Sequence, residues 1–221
     1  NYTRRASSAA HIGAIDLGGD NPIRIQSMTT TNTNDTEDCV RQAEEIIKAG
    51  GELVRFTTQG SREAENMKNI NAGIRADGYQ TPLVADVHFN PNVADVAALY
   101  CEKVRVNPGN YVDPARKFIK QEYTDEEYAH ELQKIEVRFV PFLNICKEHH
   151  TAIRLGVNHG SLSDRIRNRY GDTPEGIVES CLEFLRICKK ETFHAVVIII
   201  KSSNTFVMFR SMRLLVEEME K

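Results

Sequence analysis

Four cations recur at matching places in short apolar runs: Arg55, Arg105, Arg154 and Lys201. Successive side chains of a strand point to opposite faces. Along Val104-Arg105-Val106-Asn107-Pro108-Gly109-Asn110 the valines therefore take one face, Arg105 and Asn107 share the other, and Pro-Gly ends the strand. The same phase groups Arg24, Gln26 and Met28, then Arg55 with Thr57, and Asp86 with His88. It also groups Arg154 with Gly156 and Asn158, and Lys201 with Ser203. A lone arginine in a strand is usually an ion-pair partner, but four cations in phase point to a site. Cations gathered without partners repel one another and lose hydration, so an anion must compensate. Arginine grips phosphate oxygens bidentately and lysine adds a point charge. Asp86 is the one evident carboxylate of the set, so the implied ligand is small and multiply anionic. A diphosphate matches the cation count.

The other polar positions have narrower readings. Asp86 is expected to orient an arginine or His88. Asp86 and His88 have metal-ligand spacing but no evident third ligand, so His88 reads as a hydrogen-bond donor or proton carrier. Asn107 and Asn158 read either as amide donors to the ligand or as turn caps. Gly156 and the run Asn158-His159-Gly160-Ser161 permit close backbone approach, and helix amides that follow could assist an anion. Arg24 lies early in its strand and reads as structural. Arg165, Arg167 and Arg169 read as a solvated helix face, and His149-His150 as a helix end.

These residues need strands to aim them, and the chain supplies strands alternating with helices. Segments 11–15 and 23–28 flank a turn cluster at 17–22, which predicts a short N-terminal hairpin and a first main strand. Asp35 and Thr36 cap a helix to about Ala49, stopped by Gly50-Gly51. Strands follow at 53–58, 82–87, 103–107, 152–157 and 195–200. Between them, Ser61, Asn90-Pro91 and Thr173-Pro174 open helices, and a last helix starts near Asn204. Residues 111–121 read as a short helix or turn, and Thr124-x-x-Glu127 is a capping box whose helix Pro141 should break or kink.

Such alternation implies right-handed βαβ units and a parallel sheet. Strands of an open two-sided sheet are apolar on both faces, whereas here one face is repeatedly polar. A TIM-type (β/α)8 barrel explains this, with helices outside and polar groups at the mouth. About six of its eight βα units are present, and the scaling of such barrels places roughly 60 further residues beyond them. The first and last strands would then be unpaired edges. Residues 1–221 read as one partial, substrate-binding barrel domain.

Composition excludes several function classes. The chain has 221 residues, 41% of them hydrophobic, 27% charged, with a formal charge of −3. No basic excess argues for nucleic acid or an anionic membrane surface. The longest apolar run, 195–200, is too short to span a bilayer. The N-terminal residues show no apolar signal core, and without a starting methionine these ends are not expected to be the natural ones. Five scattered cysteines (Cys39, Cys101, Cys146, Cys181, Cys188) include no Cys-x-x-Cys, which suits a reducing cytoplasm better than a disulfide framework. Cys181 and Cys188 read as helix packing.

Five stretches in order resemble the 4-hydroxy-3-methylbut-2-en-1-yl diphosphate synthase family of the methylerythritol phosphate isoprenoid pathway. They are Ile25-Gln26-Ser27-Met28-Thr29-Thr30, Ala85-Asp86-Val87-His88-Phe89, Val104 to Gly109, Arg154-Leu155-Gly156-Val157-Asn158-His159-Gly160-Ser161, and Lys201-Ser202-Ser203-Asn204. Thr57-Thr58-Gln59-Gly60 and Asn107 through Arg116 are similar to the longer, three-domain form of bacteria and plastids. The resemblance implies reductive opening of 2-C-methyl-D-erythritol 2,4-cyclodiphosphate with a [4Fe-4S] cluster carried on a separate C-terminal domain. It implies substrate-binding roles for Arg55, His88, Arg105, Asn107, Arg154, Asn158 and Lys201, beside Asp86 from the strand reading. It also implies a homodimer, a ferredoxin or flavodoxin electron donor, and a bacterial cytoplasm in preference to a plastid stroma.

The departures from the family pattern matter equally. The family's catalytic glutamate lies beyond Lys221, its cluster cysteines lie further on, and none of the five cysteines here matches them. Ile199 stands where the family usually has serine, and Ser202 where it usually has alanine. The chain alone is accordingly expected to be inactive. The other reading is a phosphate-ligand barrel without a redox step, binding-only or of the pterin-transferase type.

Overall fold

A computed structural model describes residues 3, 5–114, 117 and 122–221. A hairpin of β1 (Ala9–Ile12) and β2 (Ile15–Gly18) comes first. Then follow β3 (Gln26–Met28), α1 (Thr36–Lys48), β4 (Leu53–Thr58), α2 (Ser61–Ala76), β5 (Leu83–Val87), α3 (Pro91–Tyr100) and β6 (Lys103–Val106). The chain continues through α4 (Asp125–His149), β7 (Ala152–Asn158), α5 (Asp164–Tyr170), α6 (Pro174–Lys190), β8 (Val196–Lys201) and α7 (Thr205–Met219). Strands β3 to β8 form one parallel sheet in sequence order, so each neighbour is reached by a helical crossover. This is the six-unit arc of a (β/α) barrel anticipated from the polar faces. The range 111–121 extends outside the described residues. Within it, Tyr111 to Pro114 are irregular after a single 3-10 turn at Pro108–Asn110.

The period-two pattern sorts the strands as expected. Val54, Phe56, Ala85, Val87, Val104, Val106, Ile153 and Leu155 face the helices and pack with Met67, Ile70, Phe139, Phe142 and Phe184. Each fully buried large apolar side chain contributes about 1.5–3 kcal/mol by leaving water, so this layer fixes which face of every strand turns inward. The hairpin closes the N-terminal end of the sheet: Ile12, Ile15 and Leu17 cluster with Leu53, Val84, Ala152 and Val197. The interior is thus dry at one end and polar at the other.

Three expectations need correction. The hairpin reverses at Gly13-Ala14, not across 17–22, because Gly13 adopts φ +54°, which a tight two-residue turn requires. Leu17 and Gly18 are strand residues paired with Ala10 and Ala9. Pro141 does not end its helix, since α4 runs through it to His149. Pro141 and Val137 lie on the exposed side, where the carbonyl that proline leaves free is open to solvent, while Phe139, Phe142 and Leu143 anchor the opposite side. Finally, Arg165 is not a solvated helix residue. It is 3% exposed and bonded to Asp113 and Glu183.

Candidate functional site

The sheet register sets the inward side chains in rows. Met28, Arg55, Val84, Lys103 and Ala152 are partners across β3 to β7. One level nearer the C-terminal ends lie Thr57, Asp86, Arg105, Arg154 and Val197, across β4 to β8. Asp86 is buried at the centre. Its Oδ1 lies 3.1 Å from Arg105 Nη1 and 3.5 Å from His88 Nε2, and its Oδ2 3.3 Å from Arg55 Nη2. Burial alone would raise the Asp86 carboxyl, but the His88 hydrogen bond and the Arg105 and Arg55 charges outweigh it and hold the group below its ordinary value. Asp86 thus contacts both arginines and His88, where an arginine or His88 was expected.

Arg105 is aimed by its second contact. Its Nη2 donates to the Gly156 carbonyl at 3.1 Å, and a Cβ at Gly156 would stand 2.4 Å from Arg105 Nε. Glycine at 156 makes room for the guanidinium. Arg55 Nη2 approaches Met28 Sδ at 3.3 Å, while Arg55 Nε is buried with no partner. Arg154 follows Arg105 in the register, and no ion pair joins it to a carboxylate among the described residues. Burial first, then Arg55 and Arg105, depress its pKa. Such crowding is stable only while something compensates the charge.

Sequence reasoning missed one cation. Lys103 is 1% exposed, and its Nζ donates to Gln26 Oε1 at 3.3 Å. The signal was present, since Lys103 is in phase with Arg105 and Asn107, but its place at the start of a strand made it look peripheral. Among the described residues, four inward cations therefore face a single carboxylate.

The remaining predicted residues lie at the rim. Asn107 Oδ1 accepts from the Gly109 amide at 3.1 Å, and its Nδ2 donates to Ser161 Oγ at 2.8 Å. Asn158 Oδ1 accepts from the Gly160 amide at 3.1 Å. Both asparagines cap turns, one of the two roles open to them. Lys201 is exposed at the end of β8, beside Asn158 in the register and apart from the arginines. Ser202 Oγ lies 3.3 Å from His159 Nδ1, and His159 Nε2 meets Asp172, so Ser202 links the ends of β7 and β8. Arg24, read as structural, bonds Glu52 at 2.9 Å, near the N-terminal ends of the strands.

The five cysteines do not fit an iron–sulfur cluster. All are buried in the packing, and burial pushes every thiol above its ordinary value, Cys181 and Cys188 to about 12. Cluster ligands are thiolates gathered round one point, and no group of three His, Cys, Asp or Glu suited to a metal occurs among the described residues.

Comparisons with known proteins agree with this architecture. The chain is 74% identical over 221 residues, all of its length, to 36% of a Phocaeicola vulgatus protein named 4-hydroxy-3-methylbut-2-en-1-yl diphosphate synthase (flavodoxin). It is 50% identical over 218 residues, 99% of its length, to 37% of the protein of the same name from Akkermansia muciniphila. The chain thus spans about a third of the length of the curated relatives it matches. Among solved structures, the phospho-2-dehydro-3-deoxyheptonate aldolase of Thermotoga maritima aligns with 96% of this chain and 53% of its own. The TM-score is 0.56 at 9% identity, which speaks to fold alone. Residues 7–221 match the family model described as the GcpE TIM-barrel domain, and with the parallel barrel arc and its inward cations in place, the chain belongs to that family.

Proposed function

We propose that residues 1–221 are the substrate-binding barrel of an enzyme that reductively opens 2-C-methyl-D-erythritol 2,4-cyclodiphosphate to 4-hydroxy-3-methylbut-2-enyl diphosphate in isoprenoid biosynthesis. The observation that carries this reading is the set of four inward cations, Arg55, Lys103, Arg105 and Arg154, facing one carboxylate. A cyclic diphosphate has the charge and size to compensate them. Arg55, Arg105 and Arg154 bind it, with His88 as a donor at its side and Asp86 holding the arginines. Asn107, Asn158 and Lys201 meet it at the rim. The names of the relatives support the activity and flavodoxin as electron donor, with ferredoxin as the alternative donor and a homodimer as the proposed assembly. A [4Fe-4S] cluster would supply the electrons from parts of the protein other than these cysteines. No described helix is long and apolar enough to cross a membrane, in keeping with a proposed place in the bacterial cytoplasm.

Calorimetry on the full-length protein tests the site. Arg105→Ala is expected to weaken binding of the cyclodiphosphate by roughly 30-fold or more, as losing a half-buried charge contact does. Lys201→Ala should weaken it by about fivefold or less, because exposed charges are screened. Unchanged affinity in both variants would remove these residues from the site. Activity is tested separately. Supplied with the cyclodiphosphate and dithionite, the 221-residue chain should form no product, since its cysteines fit no cluster. Turnover by that chain would sink the division of labour.

A further inference from the structure

Lys103 is a buried amine placed where an amine is hard to keep charged. In the register it stands between two apolar neighbours, Val84 and Ala152. Beneath it the hairpin contributes Ile12, Ile15 and Leu17, in one cluster with those two neighbours. From β3 it is offered only the neutral amide of Gln26, at 3.3 Å. The charged groups facing it are cations: Arg154 from β7 and Arg55 from β4, with Arg105 two residues along its own strand. The carboxylate of the interior, Asp86 on β5, is already held by Arg105, Arg55 and His88. Lys103 thus forms the floor of the cation cluster and has no anion of its own among the described residues.

We infer that Lys103 is the proton-coupled floor of the anion site, taking up a proton from solvent when a diphosphate settles on the arginines above it. The inference rests on the diphosphate reading and deepens it. Burial first, then Arg154 and Arg55, bring the free Lys103 down to about 8. A dianion between the same arginines cancels their repulsion and adds its own attraction, so the bound state holds the proton more tightly. Nothing is transferred to the ligand; a proton moves from bulk solvent to Nζ, and the net charge of the complex rises by the fraction taken up. Binding is then favoured below pH 8 and weakens as pH rises through it.

Calorimetry of the intact protein with the cyclodiphosphate, in buffers of different ionisation enthalpy, reads the proton directly. Each phosphorus of this probe carries one ester and one anhydride bond and keeps a single strongly acidic oxygen, so the probe itself exchanges no proton between pH 7 and 9. The expected uptake is about half a proton per ligand at pH 8 and about a tenth at pH 7, with affinity falling up to about tenfold per pH unit above 8. Lys103→Arg keeps the charge and should bind with no uptake and a flat profile over that range. Lys103→Met should bind more weakly at pH 7 and also lose the uptake. Buffer-independent heats with pH-independent affinity in the unsubstituted protein would overturn the role of Lys103, as would uptake that survives in Lys103→Arg. The two readings fail differently. Binding that obeys Arg105→Ala but moves no proton removes only Lys103, whereas no binding at any pH removes the diphosphate site itself.

Discussion

Arg165→Leu is expected to lower the unfolding free energy by about 3–5 kcal/mol, the usual consequence of removing one partner from a buried ionic network. Arg165 Nη1 and Nη2 bond Glu183 at 2.8 and 2.7 Å, and Nε and Nη2 reach Asp113 at 3.3 and 3.0 Å. Tyr128 donates its hydroxyl to Glu183 at 2.8 Å, and its ring lies 4.7 Å from the guanidinium carbon. One arginine therefore ties α4, α5 and α6 to the loop after β6, the loop that begins with Asn107. Leucine would strand two buried carboxylates. Burial already raises Glu183 above its ordinary value even with Arg165 present, so without the arginine Glu183 folds most readily when protonated. A carboxyl with a raised folded pKa is least destabilising below its unfolded value and more so as pH rises. The deficit should thus be larger at pH 8 than at pH 5 by urea unfolding. A loss below about 1 kcal/mol, or one independent of pH, would show that the network is not held by Arg165.

Much of the fold was legible because burial on one face leaves a period-two trace. That trace identified every main strand and its inward face, but it set Lys201 among the arginines, where Lys103 stands instead. Asp86 stood out as the one evident carboxylate in phase with the arginines, and its contacts with Arg55, Arg105 and His88 follow from that shared inward face. What the sequence concealed shares a cause: long-range partners. Arg165 looked solvated because its neighbours Arg167 and Arg169 are charged, yet its partners are 52 and 18 residues away. Lys103 looked peripheral because strand ends are normally wet, and only the apolar hairpin closing the sheet makes that end dry. The break allowed for at Pro141 does not occur because local propensity says nothing about packing on the opposite side of a helix. The asparagines were undecidable from sequence, since an amide that caps a turn and one that meets a ligand have the same neighbours.

Asp86→Asn should separate what the carboxylate does for the fold from what it does for the ligand. Without ligand, the substitution leaves Arg55, Arg105, Arg154 and His88 around a neutral amide. A loss of about 3 kcal/mol is expected for a broken buried pairing, or roughly 6–12 °C in Tm for a domain of this size. For binding, two effects oppose each other. A negative charge a few ångströms from a phosphate opposes it by about 2–4 kcal/mol at an effective dielectric near 20. Releasing Arg55 and Arg105 from their shared partner costs about 3–4 kcal/mol in side-chain freedom when the ligand must order both again. The two effects nearly cancel, so Asp86→Asn should bind the cyclodiphosphate within about tenfold of the unsubstituted protein while losing stability without ligand. The pH dependence follows from the depressed Asp86 carboxyl. Its stabilisation is present above the ordinary unfolded value of about 3.9 and is lost as pH falls through the lower folded value, so the two proteins should converge in strong acid. Binding weakened as severely as in Arg105→Ala would instead mean that Asp86 touches the ligand itself, accepting a hydrogen bond from a ligand hydroxyl group that the amide cannot replace.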